Sequence, residues 1–275
     1  MSEDTQHLAL AVPPAAIQHR PTFLQRRQPA IRTAASLLVG LVMWEVVGRY
    51  IVTDRLFFVP FTHVLAALGE LIRGGKLGRH LYVSGVEFGV GFALSAAVGV
   101  SLGLLMGSNR WLHELLDPWV SILYATPLVA LTPFFILVFG IGVESKMALV
   151  FTLAVFPVLI NTFTGIRSVE PRYLEVAHSF NATPGQIFLK VLLPSSVPFI
   201  MSGLRLASGR ALIGVVVGEL FFANAGVGHL LSIAAQTFNT AQLFSGVVIF
   251  ALAGLGAAGL LKRLEAWLAP WRAEA

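Results

Sequence analysis

The 275-residue chain contains no cysteine. Disulfides and thiolate chemistry are therefore excluded, and cysteine usage leaves the redox compartment undetermined. Nor does any stretch match G-x-x-x-x-G-K-[ST]. Lys146 in "GIGVESK" follows a serine and opens no phosphate-binding loop. The histidines show no metal-ligand spacing, and neither G-x-S-x-G nor H-E-x-x-H occurs. These absences leave no expected catalytic residue, no metal site and no resident cofactor. Charge is scarce too: charged residues make up 12% of the chain and apolar residues 56%, which lies outside ordinary soluble composition.

What the chain has instead is apolar runs long enough to span hydrocarbon, about 20 residues each as helix, without the short alternating segments of an outer-membrane barrel. The expectation is an all-α integral membrane protein with six transmembrane helices, at about 31–52, 81–107, 119–141, 146–166, 197–222 and 242–263. Residues 1–30 read as a polar N-terminal tail, 31–52 as an anchor too long for a cleaved signal, and 53–80 as an outer loop. A core domain over 81–265 and a tail over 266–275 complete the division. Six spans place both termini on one side. The net charge of +5 comes from basic residues that flank spans instead of clustering with aromatics, so it orients the protein in the bilayer and does not point to nucleic acid. Arg20, Arg26, Arg27, Arg32, Arg110, Arg167, Arg172, Lys190, Lys262, Arg263 and Arg272 fall on the cytoplasmic side under the positive-inside rule. Arg55, Arg73, Lys76 and Arg79 in the outer loop run against it.

Within the spans, Gly85 and Gly89, then Gly99, Gly103 and Gly107, and later Gly214 and Gly218, recur at intervals of four and expose backbone for close helix packing, inside one bundle in preference to a dimer contact. Pro127 and Pro133 beside Thr126 and Thr132 free backbone carbonyls in the third span, as a water-lined path can use. Arg210 lies deep in the fifth span, where a charge is expensive. Two readings stand open for it: attraction of an anion, or a buried pair with a carboxylate such as Glu45, Glu87 or Glu219 or with backbone carbonyls. Glu219 itself is expected near the outer end, in reach of water.

The polar stretch "EVAHSFNATPGQIFLKVLLP" (175–194) interrupts these spans. Pro171 suits the first turn of a helix, and Tyr173, Val176, Ala177 and Phe180 follow the i, i+3, i+4, i+7 spacing of one apolar stripe. Asn181 suits the left-handed residue that ends a helix, and Thr183-Pro184-Gly185-Gln186 reads as a capping box opening a second helix that stops before Pro194. Two short helices of this kind predict a cytoplasmic knob with an apolar patch for a partner's groove. A helix lying flat on lipid would carry more lysine and arginine on its polar face.

This stretch resembles the EAA loop of binding-protein-dependent ABC importer permeases, E-A-A, three residues, G, then nine residues and I-x-L-P. Glu175, Ala177 and Leu193-Pro194 match; Val176 stands for the middle alanine and Asn181 for the glycine. With "TPLVALTPFFILVFGIGVESK", "FPVLINTFTGIRS" and "SGLRLASGRALIGVVVGELF", the chain from about residue 60 onward is similar to the nitrate, sulfonate and taurine permease subfamily. The resemblance implies a MetI-like permease fold with a coupling loop over 167–195 between the fourth and fifth spans, in the bacterial plasma (inner) membrane. It further implies a non-catalytic homodimer, two copies of a separate ATP-binding subunit holding ATP and Mg, and an extracytoplasmic solute-binding protein. Tyr173, Glu175, Val176, Ala177 and Phe180 would meet the ATPase, with Asn181 and Pro184 setting the angle between the helices. Thr126, Thr132 and Arg210 are the candidates for the translocation path of a small anionic solute, a sulfonate, taurine, nitrate or an organic carboxylate. The competing expectation is an ATP-independent secondary transporter or channel, which predicts intramembrane coupling-ion carboxylates and inverted repeats. A membrane scaffold would need no prolines, threonines or arginine inside its spans.

Overall fold

The computed structural model describes residues 23–52 and 54–270. Most of the expected 1–30 tail, and the end of the 266–275 tail with Arg272, lie outside the described residues. Among the described residues eleven α-helices follow one another and no strand occurs. They are α1 (Phe23–Val46), α2 (Phe61–Arg73), α3 (Leu77–Ser108), α4 (Arg110–Ala125), α5 (Thr132–Phe139), α6 (Val143–Arg167), α7 (Pro171–Ser179), α8 (Pro184–Ile187), α9 (Leu193–Phe222), α10 (Val227–Gln236) and α11 (Thr240–Leu268). Five stretches are long and apolar enough to cross a membrane: Ile31–Ile51, Leu77–Ser108, Val143–Arg167, Pro184–Phe221 and Thr240–Leu268. The bent pair Arg110–Ala125 and Leu128–Phe139 makes a sixth if its two limbs count as one span.

The central helix is α6: 67% of its apolar stretch is buried, against 6% for Ile31–Ile51. Val150, Ala154 and Val158 of α6 pack against Met201, Leu204, Ala207, Ala211 and Val215 of α9 in the main core cluster. The glycines explain how close α3 comes on the other side. A Cβ on Gly91, Gly99, Gly103 or Gly107 would lie 2.6–2.8 Å from Val150, Val158, Thr162 or Ile166 respectively, so only glycine lets the two backbones approach this far. The pairing advances in the same direction on both helices, so α3 and α6 run parallel. Gly85 and Gly89 do not share this seam, since nothing stands within 4 Å of a Cβ on either. The buried stripe passes instead through Ser84, Glu87, Gly91, Ser95, Gly99 and Gly103. Gly203, Gly214 and Gly218 of α9 meet Asn161, Val150 and Lys146 of α6, so that pair is antiparallel. Arg205 of α9 bonds Glu265 of α11 at 2.5 Å, which brings the end of α11 to the same end of the bundle as α7.

Because α3 and α6 are parallel, the chain between them must return across the bundle, and it does so broken. The third span expected as one helix over 119–141 is bent by 85° between its limbs. Pro127 explains the position of the break: the residue before a proline is pushed out of the helical region, and Thr126 is extended at φ −73°, ψ 143°. The second helix of the polar stretch also departs from expectation, since helix continues from Pro184 to Phe221 without stopping before Pro194. A π-helical turn over Phe188–Leu192 precedes Pro194, which sits in the first turn of α9. The widened turn accommodates a residue that has no N–H and whose ring crowds the preceding turn. The "outer loop" is partly helical as well. There α2 is tied to α11 by the Ser245 hydroxyl donating to the Val64 carbonyl at 3.0 Å, and Trp44, Phe58, Phe61 and Phe244 hold α1 to both through ring contacts. Arg55 of the unexplained basic group lines a cleft of about 590 Å³ between this segment and the α10–α11 turn.

Candidate functional site

Pro171 starts α7 after an extended Glu170. The helix ends in a 2.8 Å bond from Asn181 N to the His178 carbonyl and a 3.1 Å bond from Ala182 N to the Ala177 carbonyl. Asn181 takes φ +52°, the left-handed conformation that asparagine tolerates better than other non-glycine residues. The Thr183–Gln186 capping box forms in both directions: Thr183 N donates to Gln186 Oε1 at 2.8 Å and Gln186 N to Thr183 Oγ1 at 3.4 Å. Backbone geometry thus fixes the angle between α7 and the long helix that opens at Pro184. The stripe that periodicity predicts stands uncovered by the rest of the chain. Tyr173 is 50%, Val176 56% and Phe180 82% exposed, Glu175 is exposed and Ala177 half-buried. Beside Phe180 lies a groove of about 330 Å³ lined by Ala177, Ala182, Gln186, Ile187 and Lys190 among others. An apolar stripe with an adjacent concavity is the shape that a partner's surface can clasp.

Of the three residues expected in a path, the structure places two on one side of the break in the third span. Thr126 is exposed and donates to the Ile122 carbonyl at 2.9 Å. Two residues earlier, the Tyr124 hydroxyl accepts from Arg210 Nη2 at 3.1 Å, with the guanidinium 5.1 Å from the ring centroid. Thr132 is not with them. It is 5% exposed, turns its hydroxyl to the Val129 carbonyl at 2.6 Å, and lines a cavity of about 10 Å³ with Ser145, Lys146 and Gly218. The carboxylates considered as partners for Arg210 are engaged elsewhere: Glu45 with Arg49 and Thr62, Glu87 with Lys146, and Glu219 with Ser84 and Gly228. Half-buried and held on an aromatic face, Arg210 keeps donors that no acid among the described residues takes.

The expectation that Glu219 meets water is overturned, since it is 0% exposed. Together with Glu87, also 0% exposed, and Lys146, 7% exposed, it forms a buried polar cluster that joins α3, α6 and α9 beneath the start of α10. Sequence reasoning missed it because the three residues are far apart in the chain. The available signal was an ionisable residue inside each of three apolar runs, which calls for partners.

The described residues thus form a helical membrane bundle with one bent span and an uncovered helical knob between two of its spans. The model of the family described as binding-protein-dependent transport system inner membrane component matches residues 99–273. A Bacillus subtilis protein named as an aliphatic sulfonates transport permease is 38% identical over 235 residues, 85% of each chain. One from Halalkalibacterium halodurans named as a formylaminopyrimidine transport permease is 31% identical over 249 residues, 90% of this chain and 99% of that one. Among solved structures, an inward-facing form of the MetNI methionine ABC transporter superposes with a TM-score of 0.62 at 18% identity, covering 70% of this chain and 96% of that one. The last similarity speaks for the MetI-like fold. The chain belongs to the binding-protein-dependent transport family. It is the permease subunit of an ABC importer, a non-catalytic membrane component, and the reading as a self-sufficient secondary transporter falls.

Proposed function

We propose that two copies of this chain enclose a path for a small anion across the bacterial inner membrane, with both termini and the α7 end in the cytoplasm. An extracytoplasmic solute-binding protein delivers the solute at the α10 end. Two separate ATP-binding subunits, which hold the ATP and Mg, dock on α7. The observation that carries the docking is the uncovered stripe Tyr173, Val176, Phe180 beside its groove, with Glu175 offering a charge to a basic partner residue and Ala177 allowing close approach. Because Asn181 and the capping box fix α7 against the helix that runs on from Pro184 to Phe221, a push on α7 is delivered directly to the fifth span.

The anionic cargo is supported by the name of the Bacillus relative and by Arg210, whose guanidinium is held on Tyr124; Thr126 lies two residues from that contact. The name of the Halalkalibacterium relative supports a second reading, a neutral heterocycle, for which the Tyr124 face would be a stacking surface. The test is purification of the tagged chain from its native membrane in mild detergent, with mass spectrometry of what stays bound. A stoichiometric ATP-binding subunit is expected, and a monodisperse, folded preparation without one would overturn the docking. ATPase stimulation of the reconstituted complex by alkanesulfonates and by formylaminopyrimidine, each with its binding protein, separates the two cargo classes.

A further inference from the structure

The buried cluster has an excess of acid. Glu87 Oε1 accepts from Lys146 Nζ at 2.9 Å. Glu219 Oε1 accepts from the Ser84 hydroxyl at 2.5 Å and Glu219 Oε2 from Gly228 N at 2.6 Å. Glu87 Oε2 is buried with no donor aimed at it, while the Glu87 and Glu219 carboxyl groups are within hydrogen-bonding range of each other. Two carboxylates facing one ammonium leave an uncompensated negative charge among apolar helices, which the loss of hydration makes unfavourable.

The nearby histidines do not supply the missing cation. The ring of His229 on α10 stacks on that of His80 on α3 at 6.2 Å, and burial, His80 and Lys146 hold His229 below the ordinary histidine range. Nδ1 of His80 lies 2.9 Å from both the backbone nitrogen and the carbonyl oxygen of Gly226, so it is engaged by the loop before α10 and not by either acid. The missing charge is therefore a proton on one of the acids. Both oxygens of Glu219 already receive hydrogens, as an ionised carboxylate requires. Only Glu87 Oε2 lacks one.

We infer that Glu87 is a protonated carboxylic acid at neutral pH, with its O–H on Oε2 donated to the ionised Glu219, so that Lys146, Glu87 and Glu219 form an uncharged clasp. Glu219 is then a positioning residue for α10. The Ser84 hydroxyl that donates to it accepts from Val227 N at 2.9 Å, and Gly228 N donates to it directly, so two of the first backbone N–H groups of α10 are satisfied. A Cβ on Gly226 would lie 2.1 Å from Glu219 Oε1, and Gly226 takes φ +123°, so the loop before α10 is shaped around this carboxylate. The clasp fixes α10 to α3, α6 and α9, and it stands independently of which solute is carried.

The assignment distinguishes two substitutions of the same chemical type. Glu87→Gln replaces the O–H by an amide N–H while its carbonyl still accepts from Lys146. Glu219→Gln turns an amide donor towards Ser84 or Gly228, both of which already donate. In the full-length protein in lipid nanodiscs, isotope-edited infrared spectroscopy at neutral pH should show the carbonyl stretch of a protonated, deuterium-sensitive carboxyl, and Glu87→Gln should abolish it. Glu87→Gln should keep the melting temperature within a few degrees and uptake close to that of the parent, whereas Glu87→Ala and Glu219→Gln should both melt lower. Absence of the band in the parent, its survival in Glu87→Gln, or equal melting of Glu87→Gln and Glu219→Gln would each overturn the proposal. If Glu219→Gln yields no folded protein, the parent and Glu87→Gln spectra still decide.

Discussion

Arg210 of α9 rests on Tyr124 of α4, with its guanidinium 5.1 Å from the ring centroid and Nη2 3.1 Å from the hydroxyl. The contact joins the fifth span to the last turn before the break in the third, so a solute held by Arg210 would sit where the backbone path changes direction. A charged hydrogen bond from Arg210 to such a solute would contribute about 1.5–3 kcal/mol. Arg210→Gln should therefore raise the half-saturating solute concentration for uptake about tenfold or more, while the complex still assembles because the residue is only half-buried. Tyr124→Phe keeps the ring and loses the hydroxyl, so its effect should be smaller. Uptake into proteoliposomes together with size-exclusion of the complex checks both, and loss of the assembled complex in Arg210→Gln would make the residue a structural one.

Glu175 is exposed on α7, so its charge can be reversed without cost to the fold. Glu175→Lys should weaken docking of the ATP-binding subunit and lower coupled transport several-fold, leaving membrane insertion and melting unchanged. Co-purification and transport measured on the same preparation would show it, and full transport by the variant would remove Glu175 from the interface.

Asn181 holds φ +52° at the corner between α7 and the segment that leads into the fifth span. Asn181→Gly should be neutral or slightly favourable, since glycine enters this region freely. Asn181→Val should cost about 1–2 kcal/mol locally and change the direction in which α7 points. The informative measurement is ATP hydrolysis against transport: hydrolysis that persists while uptake falls marks a misdirected coupling helix, and wild-type coupling in the valine variant would show that the angle is not critical.

The spans, the knob and its cap were legible because each is set by residues close in sequence: apolar length for the spans, a 3.6-residue stripe for α7, asparagine and a capping box for the corner. What was not legible depended on partners far away in the chain. The helix through Pro194 continues because a π turn absorbs the proline, and nothing in "FLKVLLP" announces that turn. Pro127 was visible as a residue that frees backbone carbonyls within a span, but the 85° bend goes with α3 and α6 being parallel, which their glycine seam reveals. Lys146 was read as a failed phosphate loop, and its role as the partner of Glu87 needed the packing of α3 on α6. Arg210 stood between two readings, and three-dimensional placement removed the carboxylates offered as its partners.

That glycine seam gives a prediction with an internal control. A Cβ at position 103 would lie 2.6 Å from Thr162 Cβ and 2.7 Å from the Leu159 carbonyl oxygen, so Gly103→Ala forces α3 and α6 apart. Overpacking of this kind costs about 1–3 kcal/mol, and folded yield and melting temperature in detergent should both fall. Gly85→Ala, about five turns earlier by the 3.6-residue repeat, meets nothing within 4 Å and should be neutral or slightly stabilising through helix propensity. Trimming Thr162 to glycine should restore Gly103→Ala only in part, because the Leu159 carbonyl belongs to the backbone and remains in place. Equal melting of the two alanine variants would mean that the helices do not approach as closely as the seam requires, and complete rescue by Thr162→Gly would mean that the side chain alone sets their distance.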